Sequence, residues 1–238
     1  MKLDILVFAS HPDDAELGCG GTIISQIEKG NKVGIVDLTN GELGTRGSTE
    51  LRTQEAAAAA EVMQLSVREN LRFADGFFEN DKAHLIEVIK AIRKYQPEIV
   101  IANAIEDRHP DHGHGASLVS RACFLSGLIK IETGLYGQVQ EAWRPKQVYH
   151  YIQDRHIKPD FVIDITPFWA KKVEAIKAYK SQFHNPESKE PLTHISTPDF
   201  LPFIEARAME MGHSIGVKYG EGFTKEKQLG IKNLFDLF

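Results

Sequence analysis

The sequence predicts an α/β protein with a doubly wound, Rossmann-like sheet that is mostly parallel and has helices on both faces. Short apolar runs alternate along the chain with helical segments of roughly 10–15 residues, a pattern typical of parallel sheets. The first and fourth apolar runs each end in a cluster of histidines and aspartates. The chain has 238 residues, 42% of them apolar and 26% charged, which is enough to bury a sizeable core. A single domain over residues 1–238 is therefore expected.

Strands are predicted where apolar and β-branched residues form short runs. The runs are Leu3–Ala9, Lys32–Leu38, Leu71–Phe73, Ile99–Ala102, Gln147–Ile152 and Phe161–Ile165. Leu3–Ala9 is continuously apolar, as expected of a strand that is buried on both faces. Leu71–Phe73 is the weakest of the six because it is the shortest.

Helices are predicted between these strands from helical spacing and from residues that start or stop a helix. They are Gly20–Lys29, Ser48–Leu65, Asp81–Tyr95, His114–Ser126, Pro167–Tyr179 and Leu201–Met211. Ser48 or Thr49 can cap the second helix, which contains five consecutive alanines. In the third helix, apolar residues recur at helical spacing until Pro97 ends the pattern.

Two polar clusters stand at the ends of the first and fourth predicted strands. Ser10–Glu16 reads Ser-His-Pro-Asp-Asp-Ala-Glu, and His109–His112 reads His-Pro-Asp-His. In the common strand order 3-2-1-4-5, strands one and four are neighbours at the point where the winding reverses, and this fold class binds ligands there. Neighbouring strands are about 4.8 Å apart, so side chains of both loops can reach one ion. The sequence thus predicts a shared site.

The residue types in the two clusters predict an open metal centre. His11 and Asp14 are three residues apart, which lets both point to one side of a tight loop, and His112 completes a set of three ligands. Three nitrogen or oxygen ligands with open positions are typical of catalytic zinc. One Zn²⁺ per chain is expected, although iron or cobalt can share these ligands. Cys19 is a minor candidate for an extra ligand; its alternative role is packing between glycines.

The remaining polar residues of the clusters predict hydrolysis. Asp13 is next to the ligand Asp14 but is left free of the metal, where it can take a proton from an attacking water. His109 can polarise a carbonyl or stabilise the developing oxyanion, and Asp111 can hold its tautomer and orientation. The chain is therefore predicted to be a metal-dependent hydrolase with Asp13, His109 and Asp111 as its catalytic residues.

Composition excludes several other classes. A formal net charge of −5 argues against a general nucleic-acid binder. No basic segment precedes a long apolar stretch near the N-terminus, so neither a signal peptide nor a membrane partner is predicted. With only two cysteines, Cys19 and Cys123, no disulfide framework is implied, and a cytoplasmic location fits.

Four alternatives compete with this interpretation. Asp13 or Asp14 could merely cap the following helix, but capping leaves the second cluster without a role. A nucleotide-binding oxidoreductase is a second alternative, because the chain contains Gly18-Cys19-Gly20-Gly21 with Asp37 further on. These glycines fall inside the start of the predicted helix, however, where they favour close packing of the helix on the sheet. A phosphoryl-transfer enzyme would use magnesium, which prefers oxygen ligands to two imidazoles. A non-enzymatic binding module would leave Asp13, His109 and Asp111 without a role.

In these two motifs, Ser10–Glu16 and His109–His112, the chain resembles the PIG-L/LmbE-like family of zinc-dependent N-acetylglucosamine deacetylases. Further segments resemble its branch of N-acetylglucosaminyl-malate deacetylases in bacillithiol biosynthesis. They are Gly41–Leu43, Leu51-Arg52, Glu106–Arg108, Pro159–Asp164, Ala178–Phe183, Pro191–Thr193, Glu205–Arg207, Gly216-Val217 and Glu221–Phe223. Position by position, the resemblance implies His11, Asp14 and His112 as zinc ligands and Asp13 as general base. It also implies His109 and Asp111 as the electrostatic pair at the amide carbonyl.

The resemblance also implies a substrate and an assembly. The substrate would be a small sugar conjugate, with Arg52 contacting it and Arg46 and Arg108 as weaker candidates for the malate carboxylates. Other N-acetylglucosamine conjugates or oligosaccharides remain the alternative. A homo-oligomer is expected, with a hexamer as the candidate stoichiometry. One departure stands out: the stretch 193–202 looks longer than in the family and has Phe200 where a tyrosine is expected. This departure bears on the substrate and not on the metal chemistry.

Overall fold

A seven-stranded sheet forms the centre of the computed structural model, which describes residues 1–236. The strands of this sheet are β1 (Ile5–Ala9), β2 (Val33–Thr39), β3 (Val67–Phe73), β4 (Ile99–Ala102), β7 (Gln147–Tyr151), β8 (Phe161–Asp164) and β9 (Gly220–Lys225). Two short strands, β5 (Gly134–Leu135) and β6 (Gln138–Val139), pair as a separate antiparallel hairpin. The helices are α1 (Asp14–Glu28), α2 (Thr49–Met63), α3 (Lys82–Tyr95), α4 (Pro110–Leu125), α5 (Trp169–Lys177) and α6 (Phe200–His213).

The strand order is β3-β2-β1-β4-β7-β9-β8, so the first five strands follow the expected order 3-2-1-4-5. These five pair in parallel, and β1 aligns with β4 through Ile5 and Ile99. Only β9 runs antiparallel to its neighbours, between β7 and β8. The predicted mostly parallel α/β sheet is confirmed, and β1 and β4 are neighbours at its switch point.

Helices cover both faces of the sheet, as predicted. Leu6 and Phe8 of β1 join the core cluster under α3 and α4, whereas Ile5 and Val7 join the cluster under α1 and α5. This alternation is what a strand buried on both faces requires. Among residues 1–236, no helix combines the length and apolar character needed to cross a bilayer.

Several boundaries differ from the prediction. Helix α1 begins six residues earlier than expected, directly at the first motif, because the backbone turns into the helix at Asp13. It is interrupted at Cys19, whose backbone is not helical. Helix α4 likewise begins at Pro110, whose fixed φ suits a first helical turn. Strand β9 and the β5–β6 hairpin were not predicted.

The glycines of α1 serve close packing. A side-chain carbon added at Gly18 would lie 2.2 Å from the Tyr151 ring, and one at Gly21 would lie 2.7 Å from Ile165. Both glycines lie inside α1 and against the sheet side of the core. This contact explains the glycine pattern without a dinucleotide.

Candidate metal centre and active site

The two predicted clusters meet at the carboxyl ends of β1 and β4. The segment after β1 runs directly into α1, and the loop after β4 leads into α4 with His109 as the residue that caps it. Asn103, the first residue after β4, ties the loops together. Its side-chain oxygen accepts from the Ser10 backbone N–H at 2.8 Å, and its amide donates to Asp14 at 3.0 Å.

The two predicted histidine ligands approach the same carboxylate. His11 Nδ1 lies 3.5 Å from Asp14 Oδ2, and His112 Nε2 lies 3.1 Å from Asp14 Oδ1. All three residues are buried. The structure therefore brings together the donors of the predicted set.

Each histidine is also held from its far side by another carboxylate. His112 Nδ1 lies 2.5 Å from Asp107, while His11 Nε2 lies 2.9 Å from Asp75 and 3.3 Å from Asp111. Histidines that bind metals usually donate their second ring nitrogen to a carboxylate, which fixes the tautomer. The arrangement therefore fits a divalent cation bound by His11 Nδ1, Asp14 and His112 Nε2.

The charge balance of the centre points the same way. Five buried carboxylates converge on three imidazoles and one arginine; they are Asp13, Asp14, Asp75, Asp107 and Asp111. Burial alone would lower the pKa of His112, but Asp14 and Asp107 outweigh it and raise this pKa to about 9. A bound cation would balance the excess negative charge of the carboxylates, so the imidazoles would not need to be protonated to do so.

Two groupings of donor atoms that all lie close to one another occur within residues 1–236, and neither is the predicted set of His11, Asp14 and His112. They are His11, His109 and His112, and His11, Asp75 and Asp111, each with ligand atoms within 4.8 Å of one another. Both share His11 with the predicted set. We retain Asp14 as the third ligand because its carboxylate lies between the two histidines.

Asp13 occupies an unusual backbone position. Its φ of 113° is in the left-handed region, which non-glycine residues adopt rarely and mostly where the surroundings enforce it. Its side chain makes no capping bond to α1 and instead accepts from Arg52 Nη2 at 3.1 Å. Burial raises the pKa of Asp13 to about 7 despite the opposing Arg52. A carboxylate with this proton affinity suits a general base.

His109 is half-buried and stacks on His112 with ring centroids 5.2 Å apart. Burial, together with His11 and His112, lowers the pKa of His109 and keeps the ring neutral. Its Nδ1 accepts from the Asp111 backbone N–H at 3.3 Å, which leaves the proton on Nε2. The Asp111 carboxylate accepts from the Gly76 backbone N–H at 2.9 Å and lies 3.3 Å from His11 Nε2. Asp111 thus contacts His109 through its backbone N–H, and an orienting role of its carboxylate stays a prediction.

The three predicted arginines have different surroundings. Arg52 is buried and donates to Asp13, to the Pro12 carbonyl at 2.7 Å and to the Gly41 carbonyl at 3.2 Å. Its contacts therefore hold Asp13 in position. Arg108 borders the cavity and lies 3.5 Å from Asp154. Arg46 borders a neighbouring groove and lies 3.6 Å from Glu190.

Four polar residues of the centre were missed as site residues. Asp75, Asn103 and Gln153 follow β3, β4 and β7, and Asp107 lies in the loop after β4. Gln153 donates to Asp14 at 3.0 Å and accepts from Asn103. A polar residue just beyond the end of a parallel strand was the signal that could have identified them, because these strand ends meet at one edge of the sheet.

A cavity of about 360 Å³ opens onto this centre. Helix α6 and the preceding loop form its other wall through Thr193, His194, Phe200, Ile204 and Arg207. Phe200, which replaces the expected tyrosine, is buried and meets the His194 ring edge to face at 5.8 Å. The size of the cavity suits a small ligand.

Comparison with known proteins agrees with the fold and the site. Residues 6–123 match the family described as "PIG-L: GlcNAc-PI de-N-acetylase". The crystal structure of the conserved protein TT1542 from Thermus thermophilus is similar over 97% of this chain and 98% of that one, with a TM-score of 0.85 and 33% identity. Diacetylchitobiose deacetylase of Thermococcus kodakarensis is 28% identical over 92% of this chain and 81% of its own length. The 4-oxalmesaconate hydratase of Pseudomonas putida is 28% identical over 75% of this chain and 74% of its own length.

The buried histidine–aspartate centre, the adjoining cavity and the named relatives define an enzyme, as predicted. The chain belongs to the PIG-L family.

Proposed function

We propose that this enzyme removes the acetyl group from an N-acetylglucosamine conjugate, N-acetylglucosaminyl-malate in bacillithiol biosynthesis. The observation that carries the proposal is Asp13, a buried carboxylate with a pKa of about 7 beside the metal-type centre formed by His11, Asp14 and His112. The chitobiose deacetylase relative supports the acetamido sugar, and the resemblance of further segments supports the malate conjugate.

The roles of the residues follow from their contacts. A divalent cation, zinc in our proposal, would polarise the amide carbonyl and lower the pKa of water. Asp13 accepts the proton of the attacking water and delivers it to the departing sugar nitrogen, so the amide C–N bond breaks to give acetate and a free amine. Arg52 holds Asp13 in place. His109 presents its Nε2–H to the developing oxyanion, since its Nδ1 is occupied by the Asp111 N–H.

The direct test is acetate release by the zinc-loaded enzyme. N-acetylglucosaminyl-malate is compared with plain N-acetylglucosamine at equal concentrations. We expect strong preference for the malate conjugate. Equal and weak release from both would retain a deacetylase but contradict the malate assignment, and no release from either would contradict the deacetylase proposal.

A second candidate is the deacetylation of an N-acetylglucosamine oligosaccharide. The Thermococcus relative favours it because that protein is a diacetylchitobiose deacetylase. Diacetylchitobiose therefore belongs in the same assay. A higher kcat/KM for it than for the malate conjugate would favour this candidate.

The homo-oligomer and the cytoplasmic location stay predictions. Large apolar side chains are exposed around the β5–β6 hairpin, including Ile129, Tyr136 and Val139 at 82–87%. An exposed apolar group of this kind is typical of an interaction surface and supports self-association. Sedimentation equilibrium would give the number of chains, for which we expect six.

A further inference from the structure

Arg207 on α6 is an arginine whose charge has no direct partner. Its Nη1 is buried without a hydrogen bond, and it forms no ion pair with any residue between 1 and 236. The guanidinium carbon lies 5.3 Å from the centre of the Phe203 ring, one turn earlier in the helix. A buried donor without an acceptor is costly, so this atom needs an explanation.

The acids nearest to Arg207 are already engaged by other groups. Asp154 pairs with His194 at 2.8 Å and with Arg108 at 3.5 Å. Asp107 holds His112 and accepts from the Arg155 backbone N–H.

Glu221, the third nearby acid, is engaged as well. It accepts from two backbone N–H groups of α1 and pairs with Lys172 at 2.5 Å. Burial lowers the pKa of Arg207, and the three acids oppose this only from a distance. An arginine nevertheless keeps its charge in proteins, so Arg207 is a cation with free donor capacity.

Arg207 lines the same cavity as Asp13 and His11, and Arg108 lines it too. A guanidinium binds a carboxylate through two parallel hydrogen bonds, a geometry that neutral oxygens do not match. Both arginines lie near Asp154, so two cationic groups border one part of the cavity wall. This part of the wall suits an anionic substituent on the sugar.

We infer that Arg207 is a specificity-determining residue that binds a carboxylate on the aglycone of the substrate. This inference rests on the proposed deacetylation and extends it to the class of acidic N-acetylglucosamine conjugates. The carboxylate would supply the acceptor that Arg207 Nη1 lacks.

The test compares Arg207→Met and Arg207→Lys with the wild type on two substrates, N-acetylglucosaminyl-malate and its dimethyl ester. Arg121→Met is the matched control, because Arg121 is an exposed arginine on α4 that contacts Asn80. For Arg207→Met we expect kcat/KM on the malate conjugate to fall by about 100-fold, mainly through KM. The ester should change by less than about 3-fold, and Arg207→Lys should recover part of the loss. An equal loss on both substrates, or none on either, would overturn the inference.

Calorimetric titration separates this inference from the proposed deacetylation. Both compounds are titrated into metal-loaded wild type and Arg207→Met, so the carboxylate contact is measured whether or not acetate is released. Tighter binding of the malate conjugate than of the ester, lost in Arg207→Met, supports the inference even if the enzyme releases no acetate. Equal affinity of the wild type for both compounds overturns it even if acetate is released from both.

Discussion

Asp13 combines three properties that are individually unfavourable for a surface loop: a left-handed backbone, deep burial and a raised pKa. Strained residues persist only where the surrounding contacts enforce them. Here the enforcing contacts come from Arg52, which donates both to the Asp13 carboxylate and to the preceding carbonyl at Pro12. Asp13, the proposed base, is therefore held in position by a residue from α2, outside the motif itself.

Replacing Asp13 by alanine should separate catalysis from metal binding. We expect Asp13→Ala to retain the bound metal, because the three proposed ligands remain, and to lose about 10²–10⁴-fold in kcat. Acetate release and metal content by atomic absorption are the two measurements. His112→Ala is the companion variant and should lose both properties. Near-normal turnover in Asp13→Ala would contradict its role as the base.

Asp107 should govern metal affinity without binding the metal itself. Asp107→Asn weakens the hold on His112 Nδ1, and loss of such a partner typically reduces metal affinity by about 10–100-fold. Competition with a chromogenic chelator measures this change. The neighbouring Glu106→Gln is the control, because Glu106 pairs only with Arg155 at the surface. Similar metal affinities in the two variants would argue against His112 as a ligand.

At the scale of elements, α1 connects the loop after β1 to the rest of the fold. The helix begins at Asp14, is interrupted at Cys19 and packs closely on the sheet through Gly18 and Gly21. Beyond the interruption, Glu221 of β9 accepts from the Gly21 and Thr22 N–H groups at 2.9 and 2.7 Å. A carboxylate at this point satisfies the donors that the break leaves free.

The glycines of α1 offer a matched pair of substitutions. Gly18→Ala forces a methyl group against the Tyr151 ring, and overpacking of this kind typically costs about 1–3 kcal/mol. Gly20→Ala meets nothing closer than 3.5 Å and should be neutral or stabilising by up to about 1 kcal/mol, since alanine favours a helix. Urea unfolding measures both. The packing explanation fails if Gly18→Ala is as stable as Gly20→Ala.

Strands stabilised by their own apolar sequence could be predicted, whereas strands that depend on pairing with distant strands could not. Strand β4 was predicted with its observed bounds because Ile99–Ala102 is apolar throughout and follows Pro97. Strand β9 reads Gly-Glu-Gly-Phe-Thr-Lys, without alternation or an apolar run, and only pairing with β7 and β8 makes it a strand. Sequence patterns report local preferences and not such pairings.

The same distinction applies to the site. His11, Asp14 and His112 lie in compact motifs, so their convergence followed from the order of two strands. Asp75 lies beyond β3, whose charged and mostly half-buried residues obscured most of the strand. Its contact with His11 joins the loops after β3 and β1, and because only Leu71–Phe73 of β3 was predicted, the position of Asp75 gave a weak signal.

For the whole molecule, the centre without a cation gathers five carboxylates in a buried volume. Mutual repulsion of these groups should make the metal-free protein less stable than the loaded one. A ligand that binds only the folded state stabilises it by about 2.7 kcal/mol at a concentration 100 times its Kd. We expect dialysis against a chelator to lower Tm by several degrees and added Zn²⁺ to restore it. His112→Ala is the control and should show little response; a large response there would place the metal elsewhere.

The position of β9 has a consequence for the synthesis of the enzyme. Strands β1 to β7 can pair as they leave the ribosome, but β8 reaches the sheet only through β9, which is made more than fifty residues later. The same late strand delivers Glu221 to the broken helix that starts at the first motif. Nascent chains should thus expose the unpaired strand β8 and an unanchored α1 until nearly all of the 225 residues through β9 have emerged. The nascent chain would then become catalytically active only near the end of its synthesis.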